Sequence, residues 1–447
     1  MKRSRDQAGE TSRSKVRAQQ LPIPILKLPE KITYSGSFGK HLVNTLRTHG
    51  CALVHCSPEL TIDLAKCDIL ARRFFGCDLR GSQHTNDKLK WAAPCPVGSF
   101  CGYHQPSPAK EVFRYRFGLD RALHQGEWHE HDNAPVVQCR SCMDPDSCTP
   151  SDCSVNCFLK AMERGARGLR ELAAQLAVVL LTATSKPTWG ADDAKALLDD
   201  LIEDVNYRSG DSTRSKGFEQ AATSPGFALP IPPFDAFHYF NDTDSESVSN
   251  CAPHVDPGIL TLIPLADVPG LLVRPPRKGN GELLEETEAA AGYSDDSDEH
   301  GVDEWVGVEE LAHAALGSSD ECHSGRKSRD EHLRNSPVPC QQRLITVLAG
   351  EVLESLTAGI IPAGVHMVSR PPPVTKDNKS YGPTAGLSEI DTSGQPRFSL
   401  VFDLQVPVAS AALIEAEATG LTERASRREA QPPLHSIQRV AGRKTFV

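Results

Sequence analysis

Residues 250–265 read NCAPHVDPGILTLIPL, with His254 and Asp256 two apart directly ahead of an apolar run. An imidazole and a carboxylate are both strong metal ligands, and in a strand side chains i and i+2 share a face. The pair is therefore expected to point inward together at one mouth of a barrel, supplying two corners of a facial metal site. A third corner has to come from a strand near the opposite end, and His366 in AGIIPAGVHMVSRP is the candidate. Gly359, Pro362 and Gly364 shape a turn that delivers a strand beginning near that histidine. Two histidines and one carboxylate on one face leave three metal positions open, which suits non-haem Fe(II) oxygen chemistry. One open position can take dioxygen and two can chelate an oxoacid, whereas zinc is usually held four-coordinate. Alone, His254 and Asp256 read as a hydrogen-bonded turn pair; His366 and the final strand tip the reading towards metal.

That final strand contains QPRFSLVFDL, in which Arg397 and Ser399 again stand at i and i+2. A buried Arg beside a hydroxyl is a carboxylate receptor, because its planar fork pairs both oxygens. By itself Arg397 reads as a barrel-end salt bridge. Tyr239 in FHYFND, just upstream of the His-x-Asp segment, adds a candidate phenolic donor. A second cluster, CRSCMDPDSCTPSDCSVNC, holds Cys139, Cys142, Cys148, Cys153 and Cys157 within nineteen residues. C-x-x-C is a common zinc half-site, but the paired half-site is missing and five thiols suit a tetrahedral ion poorly. Reduced or redox-sensitive thiols on a loop are the expectation, with structural zinc at Cys139–Cys157 as the alternative. His129 and His131 of WHEHD read as surface histidines.

The elements that must position these groups follow from periodicity. Apolar residues 21–28 suggest a short strand, Phe38, Leu42, Val43 and Leu46 a helix, and CALVHC a strand. Leu64, Ala65, Ile69, Leu70 and Phe74 mark a second helix. The clearest helix spans 158–184, where Leu159, Met162, Ala166, Leu169, Ala173, Leu176 and Leu180 advance by three or four. Another covers Ala191–Val205. After Pro230 the runs FDAFHYF, GILTLIPL, GLLVRP, RLITVLAG, ESLTAGIIP, VHMVSRP and RFSLVFDLQV are short, β-branched or aromatic, and separated by Gly and Pro. With no helices alternating among them, they suit a jelly roll better than an open parallel sheet. The expected fold class is α+β: a double-stranded β-helix (jelly-roll) core with flanking helices.

The expected organisation is a disordered basic tail over 1–20, a mostly helical region over 21–225 with a Cys-rich loop at 139–157, a catalytic jelly roll over 226–405, and a C-terminal extension over 406–447. An acidic and Ser-rich insertion occupies 279–340 of the jelly roll. Residues 281–310 hold twelve Asp/Glu and no Lys or Arg, so this stretch is expected to be a disordered surface insertion, or a partner-recruiting one. At 447 residues, with 39% hydrophobic and 6% aromatic content, the chain should form a good core with a substantial disordered fraction. A net charge of −10 disfavours broad binding to nucleic acid or anionic membrane. The longest apolar stretch, around Leu172–Leu181, is far short of the ~20 residues a bilayer needs. The start MKRSRDQAGE lacks an apolar signal region, and KRSR is a weak nuclear signal. Fourteen cysteines without such a region suggest free thiols. A soluble cytoplasmic protein is expected, with the nucleus as the alternative, acting as a monomer on a small molecule.

In order, LPIPILKLPEKI…HLVNTLRTHGCALVHCSP, HVDPGILTLIPLADVPGLLV, WVGV at 305–308, LITVLAGEVLESLTAGIIPAGVHMV and RFSLVFDL resemble the iron(II)- and 2-oxoglutarate-dependent dioxygenases of the isopenicillin-N-synthase-like group. The resemblance runs over most of residues 21–405; no single motif is specific, but the ordered set is. It implies that His254, Asp256 and His366 bind Fe(II), and that Arg397 and Ser399 grip the far carboxylate of 2-oxoglutarate, with Tyr239 nearby. It further implies dioxygen as co-substrate, ascorbate as a possible accessory, and hydroxylation, desaturation or demethylation of a small organic molecule. Three features depart from the family. Asp256 and His366 are 110 residues apart, which the acidic insertion accounts for. Met367 stands where the family commonly has Arg, and the 31 residues from His366 to Arg397 are a long interval. A 2-oxoglutarate-independent oxidase or oxidative cyclase, and a catalytically silent binding protein, stay open as alternatives.

Overall fold

The computed structural model describes residues 23–29, 36–76, 88–89, 91–94, 100–116, 155–184, 191–203, 232–241, 249–276, 305–317, 344–370 and 395–406. The Cys-rich cluster up to Cys153, His129, His131, the basic tail, the acidic stretch before Trp305 and the extension beyond Val406 lie outside these residues.

The first half contributes β1 (Ile25–Leu26), α1 (Ser37–His49), β2 (Ala52–His55), α2 (Pro58–Phe75), β3 (Ala92–Pro94), β4 (Phe100–Ser107), β5 (Lys110–Arg116), α3 (Val155–Thr184) and α4 (Ala191–Glu203). The helices start and stop where local chemistry dictates. Ser57 caps α2 by accepting from Leu60 N at 3.2 Å, with Pro58 in the first turn. α1 ends at Gly50, whose φ of 74° lets its N–H return to the Leu46 carbonyl at 2.9 Å. α3 is the central helix, burying Ala166, Leu169, Ala173, Leu176 and Leu180 completely. Gly165 and Gly168 let α2 approach, since a Cβ at either would crowd Cys67 Sγ or Leu60 Cδ1.

The second half contributes β6 (Pro233–Tyr239), β7 (Ser249–His254), β8 (Leu260–Pro264), β9 (Leu271–Val273), β10 (Val306–Gly307), α5 (Val308–Gly317), β11 (Leu344–Ala349), α6 (Glu351–Leu356), β12 (His366–Ser369) and β13 (Arg397–Leu404). They form part of a nine-stranded sheet, ordered β1-β2-β11-β8-β13-β6-β5-β4-β3, and all of a four-stranded sheet, ordered β10-β9-β12-β7. Strands β6 to β13 pass back and forth between the two sheets, with only the β9–β10 step staying in one. Every pairing among these eight strands is antiparallel. This is the double-stranded β-helix expected from sequence, but among the described residues it is not a closed barrel: the large sheet ends at β1 and β3.

Alternation along the strands divides the core in two. Leu260, Leu262, Leu400, Phe402 and Leu404 pack on the helix side with α2 and α3. Ile263, Leu344 and Leu348 face the other way, meeting Leu271, Val273 and Val306 of the small sheet. The inward series on β13 is therefore Arg397, Ser399, Val401 and Asp403.

Three expectations need correction. ESLTAGIIP is not a strand: Glu351–Leu356 form α6, helped by Glu351 and Glu354 in its first turn, and turns follow. The described part of the region before residue 225 is mostly helical, but it also carries β3, β4 and β5, strands that were not expected and that extend the large sheet beyond β6. The acidic stretch is not disordered throughout 281–310: Val306–Gly307 pair with β9, and α5 begins at Val308.

Candidate metal centre

β7 runs up to His254 and stops there, because Pro257 and Gly258 turn the chain into β8. Asp256 is thus in the turn rather than two positions along a strand. His366 opens β12, immediately after the turn through Gly364. It is not drawn from the opposite end of the fold: β12 neighbours β7, and His366 is the cross-strand partner of His254. The two imidazoles lie 4.3 Å apart between ring centroids. Asp256 sits between them, with Oδ1 3.5 Å from His254 Nε2 and Oδ2 3.5 Å from His366 Nε2. One ligand atom from each of the three residues lies within 4.8 Å of the others.

Backbone carbonyls set the orientation of both rings. His254 Nδ1 faces the Ala252 carbonyl at 2.8 Å and His366 Nδ1 faces the Gly364 carbonyl at 3.1 Å. A carbonyl only accepts, so each Nδ1 carries the proton and each Nε2 is left for the centre, the arrangement that orients metal-binding histidines. Thr261, at the inward position of β8, donates to Asp256 Oδ2 at 2.5 Å. Burial works against the charge on His254, but the bond to Asp256 and the neighbouring Cys251 push its pKa up to about 11. Burial and the neighbouring His254 charge outweigh the pull of Asp256 and hold His366 down. Asp256 stays below the usual carboxylate range despite burial, chiefly through its bond to His254. Without a cation the carboxylate therefore shares a proton with His254, and a divalent ion would displace it.

Arg397 is fully buried on the inward face of β13 and reaches across to the small sheet. A Cβ at Gly270 would come within 3.1 Å of its Cδ and Nε, so glycine eases that approach. Gly270 N–H and Arg397 both point at Glu309, which the acidic composition of 281–310 concealed. Arg397 Nη2 donates to Glu309 Oε1 at 2.6 Å, while Leu271 N donates to Oε2 at 3.0 Å. Both side chains of this pair are 1% exposed. Arg397 Nε and Nη1 are buried with no hydrogen-bond partner among the described residues. Tyr239 is the cross-strand neighbour of Arg397, its ring 5.9 Å from the guanidinium carbon, and Ser399 is buried one inward step along. Ser369, whose N–H bonds Gly270, lies three residues along β12 from His366. That separates receptor and centre by roughly 10 Å.

The six residues singled out from sequence thus fall into two groups on the inner faces, His254, Asp256 and His366 in one and Arg397, Ser399 and Tyr239 in the other. Glu309 and Thr261 went unrecognised. The signal for Glu309 was its place directly after WVGV, and that for Thr261 its inward parity on GILTLIPL. Asp403, at the other end of the inward series, is a buried carboxyl pushed up to about 8 by burial and by Asp256. Of the Cys-rich cluster only Cys157 is described, a partly buried cysteine on α3.

No protein-family model matches the chain, and no curated protein does. Among solved structures, it is similar to dioxygenase for auxin oxidation 1 of Arabidopsis thaliana with 2-oxoglutarate, at 12% identity and a TM-score of 0.45, over 87% of this chain and 94% of that one. It is similar to a full-length Neurospora crassa protein in complex with α-ketoglutarate and thymine, at 13% identity and a TM-score of 0.47, over 88% of each chain. The dioxygenase for auxin oxidation in rice gives 16% identity and a TM-score of 0.44, over 87% of this chain and 84% of that one. No helix among the described residues is long and apolar enough to cross a membrane.

Proposed function

We propose that this chain is a non-haem Fe(II)- and 2-oxoglutarate-dependent dioxygenase that hydroxylates, desaturates or demethylates a small organic substrate. One observation carries the reading: His254, Asp256 and His366 bring three ligand atoms within 4.8 Å of one another, a two-histidine, one-carboxylate set that would leave metal positions for dioxygen and a chelating oxoacid. The residues fit a ferrous ion. Both imidazoles present Nε2, the carboxylate is held by Thr261, and no fourth protein ligand closes a tetrahedron among the described residues. The ordered motifs from residue 21 to residue 405 support the isopenicillin-N-synthase-like subgroup.

Bound iron would supply dioxygen activation, coupled to conversion of 2-oxoglutarate into succinate and carbon dioxide. The chain's own part is positional. His254 and His366 keep their Nε2 lone pairs aimed by backbone carbonyls, and His254 and Asp256 give up their shared proton as the cation enters. Arg397, roughly 10 Å away, offers two unpartnered nitrogens to the distal carboxylate of a five-carbon diacid. Ser399 and Tyr239 supply hydroxyls beside it. The apolar contacts between the sheets, including Leu271, Val273 and Leu348, exclude water from the space behind the centre.

The Glu309 bond favours a second reading. A guanidinium already paired with a carboxylate of its own chain could serve a 2-oxoglutarate-independent oxidase on the same scaffold. Succinate decides between them. Anaerobic addition of Fe(II) and 2-oxoglutarate to the full chain should raise a weak visible charge-transfer band, and admitting air should release succinate. A band-free spectrum from folded protein rejects the dioxygenase; substrate oxidation without succinate favours the oxidase.

A further inference from the structure

The inner face of the large sheet continues past the jelly roll onto β5. Register places Lys110 opposite Tyr239 and Val112 opposite Phe237, while Arg397 and Ser399 flank the same two residues from the other side. Directly opposed residues in antiparallel strands share a face. Lys110, Tyr239 and Arg397 therefore form one row and Val112, Phe237 and Ser399 the next. Because Arg397 reaches Gly270 on the small sheet, this face is turned towards the candidate centre. The rings of Phe237 and Tyr239 stack at 5.7 Å and 17°. Lys110 Nζ lies 5.5 Å from the first centroid and 6.0 Å from the second.

Two features mark this wall as a binding surface rather than core. Phe237 stays half-buried while both its strand neighbours, Ala236 and His238, are buried. A ring left partly open on an inward face borders a cleft. The second feature is charge. Arg114, on the same face, is held by Asp235 through bonds of 2.8 and 2.6 Å, and Arg397 is held by Glu309. Among the described residues, Lys110 has the two rings beneath it and no carboxylate paired with it. Asn241, two residues past Tyr239, accepts from Asn250 Nδ2 at 3.0 Å, which brings the end of β6 beside β7. The His254 side chain, at the end of β7, is 40% exposed, so the centre opens to solvent.

We propose that Lys110 and Phe237 select the substrate, and that the substrate is a small molecule bearing a carboxylate on a planar ring. The ring packs on Phe237, and the carboxylate meets Lys110, which has no carboxylate partner among the described residues. The word substrate rests on the dioxygenase reading; the binding does not.

Calorimetric titration of the full chain with benzoate, phenylacetate and cinnamate, each against its neutral amide, tests this without turnover. At least one acid should bind about tenfold tighter than its amide. Lys110→Gln should bring acid and amide to within about twofold, Lys110→Arg should keep the preference, and Phe237→Ala should weaken both members of the pair. Matching far-ultraviolet dichroism and melting temperature establish that the variants fold. No acid preference in the native chain overturns the proposal, as does a preference that survives Lys110→Gln. Displacement of the bound acid by succinate overturns it too, since the acid then sits at Arg397. Absence of a charge-transfer band with Fe(II) and 2-oxoglutarate would instead count against the dioxygenase and leave these titrations valid.

Discussion

On the helix side of the large sheet, Lys88 Nζ lies 3.0 Å from Glu111 Oε1 and Tyr103 donates to the same oxygen at 3.0 Å. His238 Nδ1 approaches Oε2 at 3.4 Å, and Lys88 also donates to the Phe75 carbonyl at 3.2 Å. On the other side of the same sheet, two imidazoles and a carboxylate meet at 3.5 Å, and a buried guanidinium keeps two nitrogens without partners among the described residues. Both clusters are charged and buried. The first satisfies itself, which is what buried ions need to be tolerated. The second is incomplete, and incompleteness in a packed interior signals a ligand that the chain alone does not supply. Satisfaction, rather than the mere presence of buried charge, separates structural from chemical groups here.

The contrast can be broken most sharply at the centre. His254→Ala or Asp256→Ala should lower Fe(II) or Mn(II) affinity by on the order of 100-fold or more and abolish succinate formation, followed by calorimetry and by product assay. Wild-type metal affinity in either variant would remove the distinction between the two faces. Arg397→Gln comes next. It should raise the 2-oxoglutarate requirement steeply and, by stranding Glu309, cost about 3–5 kcal/mol in urea unfolding. Unchanged stability would mean that the buried pair contributes little.

Glu111→Gln is the matching change on the helix side. It should cost about 1–3 kcal/mol of stability yet leave metal affinity unaltered. The pH dependence sharpens this. Burial alone would raise the Glu111 carboxyl, but its bond to His238 and the Lys88 ammonium outweigh that and hold it below the usual range. A depressed folded-state pKa stabilises the fold at pH values above the ordinary carboxylate range, and that contribution is lost as pH falls through the folded value. Acid unfolding should therefore become shallower in the variant. The smallest effect is expected from deleting 281–302, which leaves β9, β10 and Glu309 in place. Succinate formation should change by less than about twofold, and the melting temperature by only a few degrees.

Local signals made much of the site readable. His254 and Asp256 stand two apart in sequence, the Gly-Pro-Gly turn announces His366, and strand parity pairs Arg397 with Ser399. What escaped depended on partners remote in sequence. Glu309 looks like one more acid in a run of twelve, and only folding shows that its carboxylate lies between a strand end and Arg397. Residues 351–356 carry Val352, Leu353 and Leu356, and the run is too short for period to decide between helix and strand. β4 and β5 were passed over although Val112, Phe113 and Tyr115 are good strand residues; nothing local says that they extend a sheet built mostly from the other half of the chain. Asp256 was assigned the right neighbours for a reason that does not hold, since it lies beyond the strand's end.

The ladder between β7 and β12 is irregular. His366 faces His254, but the register shifts before Val368 meets Cys251 and again before Ser369 meets Ser249. Such shifts leave an edge strand poorly secured by its own peptide bonding. An ion held jointly by His254 and His366 would rivet that margin to the rest of the four-stranded layer. Chelation should then be felt first as faster amide hydrogen exchange across 249–254, long before the buried middle of α3 loosens.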